Sequence, residues 1–422
     1  MSRLKIVLLL PAMIACSSIT DIDTRDVLEP DRLNNQTGAL TLRAGAITRF
    51  TESFVLPTDD RGQVGASGAI SDEFTSTFNN RFSDQRIIAD PFDASYPGEP
   101  RIHQARMSLQ QAITAMQRYA PTPPSRIGHL FGLLGYTEIF LAETMCSGIA
   151  LSSVVDLVPQ PAPAFTTVQV LERAVADFDS ALTYAADSAR ILNLARVGKG
   201  RALLDLARFT DAAAAVSAVP TSYSYATEHS ASVQQNFLFQ AMNTSRSVSV
   251  SDREGGNGLD FRSANDPRVP TRLVGKGVDG ITDAYAFTKF TSLASPVVLA
   301  SGIEARLIEA ETQLKQGDAS GALTKLNQLR TTTPGLAPLA IPATTAAQVD
   351  LLFRERAFWM FATGHRQGDL RRLVRQYGRN QESVFPTGQY RAGLVYGNAV
   401  AFAPVPAEAN NPNSTGCLNR DP

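Results

Sequence analysis

The chain has 422 residues, 44% of them apolar, and a mean hydropathy of -0.08, the composition of a soluble globular body longer than one core needs. Its 39 basic and 40 acidic side chains are interspersed and leave a formal net charge of -1. No basic stripe is present, which excludes nucleic acid as a natural partner.

The first residues read as an export signal, assigned to 1–15. Arg3 and Lys5 precede an apolar run from Ile6 to Ile14, and small Ala15 precedes Cys16. That run is too short to cross a bilayer core of ~30 Å as a helix, and the polar residues after Cys16 do not extend it. Met13-Ile14-Ala15-Cys16 resembles a lipobox, where the signal is cut and the cysteine acylated. Cys16 is therefore expected to carry a lipid that moors the chain to a membrane, each buried CH₂ contributing about 0.8 kcal/mol. The alternative is an ordinary cleaved signal with an incidental cysteine. Residues 16–35 form the lipidated start and a polar tether, in which Asp21, Asp23 and Asp26 read as a solvated charge run rather than a calcium site.

From residue 36 the chain is expected to form one mainly α-helical domain. Ala105, Leu109, Ala112, Ile113 and Met116 recur at helical steps. Pro121, Pro123 and Pro124 end that helix, and Ser125 to Met145 follows, apolar almost all round and so predicted to be buried. Val168 to Leu182 is amphipathic, and its partner helix starts near Ile191. An internal repeat follows: residues 195–220 and 304–330 each read as an Ala/Leu helix, a tight turn at Ala207-Arg208-Phe209 or Gln316-Gly317-Asp318, and a second helix of small residues. This resembles tetratricopeptide hairpins, whose helix pairs stack over a shared core.

Two stretches, near 57–101 and 221–300, are rich in Ser, Thr, Asn, Asp, Gly and Pro and read as long loop insertions. Minor β structure is expected at Leu394 to Phe402. Gly255-Gly256-Asn257-Gly258 lacks a strand-to-helix frame and reads as a flexible turn. The four histidines, His103, His129, His229 and His365, have no metal-ligand spacing, and neither a GxSxG elbow nor a Walker loop occurs. Asp72-Glu73 could serve as glycosidase carboxylates, but such pairs are usually surface residues. The chain does not read as an enzyme, and no cofactor is expected. With Cys16 lipidated, Cys146 and Cys417 remain. In an exported chain they pair as a disulfide or stay as two separate buried thiols.

The C-terminal part is more specific. Gly364-His365-Arg366, Asp369-Leu370-Arg371-Arg372, Phe402-Ala403-Pro404-Val405-Pro406 with Glu408, and Asn411-Pro412-Asn413 follow one another in an order that resembles the SusD/RagB family. Asp266-Pro267-Arg268 and the Leu307 to Arg330 hairpin fall where that family has similar features, and Tyr136 to Gly148 takes the place of its early scaffold helix. Thr363 departs from the acidic residue common before the glycine, and the chain is shorter than many members. The resemblance implies a SusD-like helical scaffold with insertions. It also implies a lipid-anchored outer-membrane protein, facing the cell surface, that binds an oligosaccharide or peptide nutrient. Such proteins act as lid and partner of a SusC-like TonB-dependent transporter, without a catalytic residue.

The charged residues Arg354, Glu355, Arg356, Asp369, Arg371 and Arg372 mix signs along helical segments and are expected to lock helices together. Trp359, the only tryptophan, lies among Phe353, Phe358, Met360 and Phe361 and is expected in the core. Ligand contacts are then assigned to aromatic residues of the insertions: Tyr96 and Tyr223 first, then Phe78, Phe82, Tyr225 and Phe239. The competing readings are an envelope lipoprotein that scaffolds protein assemblies and a surface glycoside hydrolase.

Overall fold

The computed structural model describes residues 33–55, 62–78, 84–87, 99–155, 158–391, 393–403 and 411–413. The export signal, Cys16, Phe82, Tyr96, residues 404–410 and Cys417 lie outside the described residues. Within them the fold is mainly helical. Helix α1 (Gln36–Phe54) is followed by α2 (Gln63–Ile70), α3 (Glu99–Tyr119), α4 (Ser125–Thr144), α5 (Thr167–Tyr184), α6 (Ala189–Asp205) and α7 (Phe209–Val216). A short α8 (Phe237–Phe239) runs into a π turn, and α9 (Gly302–Lys315), α10 (Ala319–Arg330), α11 (Thr345–Trp359), α12 (Arg366–Tyr377) and α13 (Gln381–Val384) complete the set. No described helix is long and apolar enough to cross a membrane.

Local chemistry sets the helix starts. The Asn35 side chain accepts from the Gly38 N–H, Thr166 and Gln169 form a reciprocal capping box on α5, and Ser188, Ser301, Asp318 and Thr344 cap α6, α9, α10 and α11. Helix α4 is the axis of the larger core, buried from Ile127 to Thr144 except at Phe131, with α3, α5 and α6 around it. Its neighbours come close because small residues face Phe178 of α5. A methyl group on Gly198 of α6 would lie 2.3 Å from the Phe178 ring, and one on Gly135 of α4 would lie 2.9 Å from it.

The two sequence repeats form hairpins α6–α7 and α9–α10, and they stack although residues 221–300 intervene, because α7 packs on α9. Arg306 donates to the carbonyls of Val216 and Val219 at 3.2 and 3.1 Å, and the Thr312 hydroxyl donates to the Phe209 carbonyl at 2.8 Å. These bonds tie both ends of α7, Phe209 at its start and Val216 and Val219 at and just beyond its last residue, to α9.

Short strands decorate the scaffold: β1 (Phe74–Ser76), β2 (Ile149–Ala150), β3 (Ser153–Val155), β4 (Val158–Gln160), β5 (Ala164–Phe165), β6 (Ser224–Thr227), β7 (Val248–Val250), β8 (Thr271–Lys276), β9 (Asp283–Phe287) and β10 (Val297–Ser301). They pair only in antiparallel twos, β1 with β7, β2 with β5, β3 with β4, β6 with β10 and β8 with β9. The 221–300 stretch therefore carries five of these strands rather than loops alone.

The structure departs from the sequence expectations in three other places. Residues 63–76, within the stretch read as a polar insertion, are buried: every residue of α2 is inside, and so are Asp72 and Glu73. Small Gly65, Ala66, Ser67, Gly68 and Ala69 let this helix slip between larger elements, and the Phe74 ring lies where a methyl on Gly68 would be. The 394–402 region forms only isolated bridges, Gln389 to Val395 and Met145 to Phe402. The Gly255 turn is packed rather than free, since a methyl there would meet the Thr387 nitrogen at 2.3 Å.

Candidate ligand-binding site

Glu355, Arg356, Asp369, Arg371 and Arg372 are buried and engage carboxylates, guanidiniums and backbone carbonyls, while half-buried Arg354 pairs with Asp260. Arg356 donates to Asp369 through Nη2 at 2.9 Å and Nε at 3.1 Å, and Arg372 donates to the same carboxylate at 2.7 Å and also reaches Glu311. Burial opposes ionisation of Asp369, but the Arg356 and Arg372 guanidiniums outweigh it and hold the carboxyl well below the usual carboxylate range. Arg201 of α6 grips Glu143 of α4 at 2.6 and 2.5 Å and donates to the Gly364 carbonyl at 3.0 Å. Arg371 donates to the carbonyls of Ala142 and Glu143 at 2.9 and 2.6 Å. The expectation that these residues join helices agrees with this placement. His365 belongs to the same layer, with Nε2 3.0 Å from the buried Glu304 carboxylate.

This layer fixes the turn between α11 and α12. There the chain reverses through positive φ at Ala362 (59°) and Gly364 (75°). The strained Ala362 is held by its N–H, which donates to Glu73 at 2.8 Å. Residues 358–363 thus form a rigid ledge. Facing it are the 221–224 turn and the 287–298 stretch. The turn lies directly on the start of α9, where Gly302 donates to the Tyr223 carbonyl at 2.8 Å and a methyl on Gly302 would fall 2.0 Å from the Pro220 carbonyl oxygen. In the opposite wall Ser295 accepts from the N–H groups of Thr291 and Ser292 at 2.9 and 3.0 Å, and Asn236 donates to the Ser295 carbonyl at 2.9 Å.

Between these walls lies a cavity of about 510 Å³. Its floor is apolar, with Phe287, Phe290, Phe358 and Phe361 buried and Trp359 and Tyr223 half-buried. Phe287 and Phe290 meet edge to face at 5.2 Å, and Phe287 meets Phe361 at 5.0 Å. The rim is polar and exposed, carrying Thr221, Ser222, Ser224, Lys289 and Thr291. An apolar floor under convergent hydroxyls, at this volume, is the usual form of a small-molecule site. Among the described residues lining it there is no Asp, Glu, His or Cys.

Of the residues proposed from sequence, Tyr223 lines this cavity, its hydroxyl donating to the Arg190 carbonyl at 2.9 Å. Trp359, expected in the core, packs on the smaller apolar cluster and also forms part of the cavity wall. The structure thus brings together two rings to which the sequence assigned opposite roles. Tyr225 is a core residue with its ring under Arg190. Arg43 donates to Nδ1 of His129 at 3.1 Å, which leaves Nε2–H to donate to the Tyr225 hydroxyl at 2.6 Å. Burial and the neighbouring Arg43 and Arg190 lower the His129 pKa to about 3, so that imidazole is neutral. Phe239 and Phe78 are half-buried away from the cavity, Phe239 packed on the larger core. Tyr96 and Phe82 lie outside the described residues, as does Cys417. Cys146 is disulfide-bonded, and its partner lies there too.

Sequence reasoning missed Arg268, Phe287, Lys289 and Phe290. The one available signal was Phe287-Thr288-Lys289-Phe290-Thr291-Ser292, where aromatic, hydroxyl and cationic side chains are interleaved.

No family model matches the chain, and no curated protein does. Solved structures do. A SusD superfamily protein from Bacteroides vulgatus superposes with a TM-score of 0.68 at 14% identity, covering 91% of this chain and 99% of the other. The chain has the SusD-like fold. A SusD superfamily protein from Parabacteroides distasonis also gives a TM-score of 0.68, at 12% identity over 90% of this chain and 98% of its own. A SusD-like carbohydrate binding protein from Bacteroides vulgatus gives 0.58 at 14% identity, covering 80% of this chain and 83% of that one. The mainly helical SusD-like scaffold expected from the sequence is therefore present, with its hairpins stacked and His365, Arg366 and Asp369 to Arg372 buried.

Proposed function

We propose that this chain is a nutrient-binding lipoprotein of the outer membrane that captures an oligosaccharide or peptide and passes it to a TonB-dependent transporter. The observation that carries this reading is the aromatic-floored, hydroxyl-rimmed cavity held open by a buried charge layer. The SusD-like fold supports it, as does the likeness to a neighbour described as carbohydrate binding. In this reading the motif residues are structural, the cavity binds without chemical change, and the lipid on Cys16 keeps the protein beside its transporter. We assign Cys417 as the disulfide partner of Cys146, which non-reducing peptide mapping of freshly isolated protein checks.

A screen of the purified protein against glycan and peptide libraries, repeated with Phe290→Ala, tests the binding role. A wild-type ligand whose affinity falls in the variant supports it. A folded wild-type protein that binds nothing in either library overturns it. For the anchor, Cys16→Ser is expected to release the protein from membranes, and a wild-type chain that carries no lipid by mass spectrometry rules the anchor out.

A further inference from the structure

Charge, unlike shape, is unevenly distributed in this cavity. Two cations line it, Arg268 and Lys289, and no carboxylate does. Arg268 is fully engaged behind the wall. Its Nε and Nη2 donate to Asp266 at 2.9 and 2.7 Å, and its Nη1 and Nη2 donate to Glu355 at 2.7 and 3.1 Å. Glu355 is shared with Arg330 at 2.7 Å, so this group holds two cations and two carboxylates and is balanced.

Lys289 is left over. Among the described residues it has no hydrogen bond and no ion pair, and its nearest aromatic contact places Nζ 5.9 Å from the Phe287 centroid. Burial lowers the pKa of its ammonium, and the opposing pull of Asp266 is countered by Arg268. An ammonium at the edge of an aromatic floor, with hydroxyls of Ser222, Ser224 and Thr291 around the same rim, is the complement of a sugar that carries a negative charge. The apolar face of a pyranose ring covers the floor, its hydroxyls meet the rim, and its carboxylate meets Lys289.

We propose that this cavity selects an acidic saccharide, a sugar bearing a carboxylate, with Lys289 as its counter-charge. The proposal rests on the reading of the cavity as the nutrient site.

The test uses matched pairs that differ only in charge: oligogalacturonides against their methyl esters, and sialyllactose against its methyl ester, measured by calorimetry at low and at physiological salt. The wild-type protein is expected to bind at least one acid about two- to fivefold more tightly than its ester, with the advantage shrinking as salt rises, as for a partly exposed ion pair. Lys289→Gln is expected to lower the acid's affinity to that of the ester, and Lys289→Arg to restore the preference. Equal affinity for acid and ester, or a preference that survives Lys289→Gln, overturns the proposal. Binding of neutral oligosaccharides that Phe290→Ala weakens, without any preference for acids, overturns the charge assignment and leaves the nutrient site standing. Failure of a folded wild-type protein to bind any saccharide, acidic or neutral, removes the acidic-saccharide assignment, and with no peptide bound either it removes the nutrient site as well.

Discussion

Arg366 grips Asp72 with two parallel hydrogen bonds, Nε to Oδ1 at 2.6 Å and Nη2 to Oδ2 at 2.8 Å, although 294 positions separate them in sequence. Asp72 also accepts from the Leu259 N–H at 2.7 Å, so one carboxylate ties the end of α2, the 259 turn and the start of α12 together. Both charges are buried, with 6% and 1% of their side chains exposed.

This pair is expected to behave as a buried ion pair in which a lone partner is worse than none. Arg366→Met strands Asp72 and should remove about 3–5 kcal/mol of stability in urea unfolding. The double variant Asp72→Leu with Arg366→Met leaves no stranded charge and should be less destabilised than Arg366→Met alone. If the double variant is instead the less stable of the two, the carboxylate has a partner other than Arg366 that matters more.

Glu73 is expected to make the fold less stable as pH rises from 4.5 to about 8. Burial raises its pKa to about 8 against the opposing Ala362 N–H and Arg366. The folded state therefore keeps a proton that the unfolded chain releases near the ordinary glutamate value of 4.5. Between those values the native state binds more protons, so this contribution is full below the lower value and is lost as pH rises through about 8. Glu73→Gln retains an acceptor for the Ala362 N–H without the titration. Its melting temperature should vary less with pH across this window than that of the wild type, and equal slopes would show that Glu73 does not titrate there.

Gly198 should tolerate no side chain. A methyl there would overlap the Phe178 ring, so Gly198→Ala is expected to destabilise by about 1–3 kcal/mol through overpacking, despite alanine's better helix propensity. Adding Phe178→Leu removes the opposing ring edge and should reduce that penalty in the same thermal melts. An unchanged or raised melting temperature for Gly198→Ala would mean that α5 and α6 do not approach as closely as described.

Tyr223 and Trp359 are each expected to affect both folding and binding. Tyr223→Phe removes one hydrogen bond to the Arg190 carbonyl and should lower stability by about 1 kcal/mol while keeping the ring in the cavity. Trp359 is half-buried, so Trp359→Ala should lower stability by about 2–3 kcal/mol, at or below the lower end of the range for fully buried large aromatics. It should also weaken any cavity ligand. Paired melts and calorimetry check this, and a Trp359→Ala protein with undiminished affinity would place the ligand elsewhere.

Several features of this fold were legible in the sequence because they arise from short-range interactions. The apolar steps through Val168 to Leu182 place α5 close to its observed ends, Thr167 and Tyr184, and those through Ala105 to Met116 place the C-terminal part of α3, which starts earlier, at Glu99. The turn residues Gln316-Gly317-Asp318 fall between α9 and α10, where Gly317 adopts a φ of +85° and Asp318 caps the next helix. Mixed charge along 354–372 indicated helix-locking pairs; the Asp369–Arg372 pair is local, three positions apart on α12, whereas Arg356 meets Asp369 only because α11 and α12 pack together.

Burial of Asp72 and Glu73, and the cavity itself, depended on residues far away in the chain. A carboxylate reads as a surface group until a guanidinium from another element is known to meet it, since burying either charge alone is strongly unfavourable. Helix α2 looks like a polar loop for the same reason: its small residues are buried only because α4 and α12 close over them. The cavity is built from the separate stretches 221–224, 287–303 and 358–363. The sequence by itself determined the longer helices and the repeat, through backbone hydrogen bonding and side-chain periodicity. Only the tertiary structure decided that Tyr223, Lys289 and Trp359 share one site, because that depends on how distant segments pack.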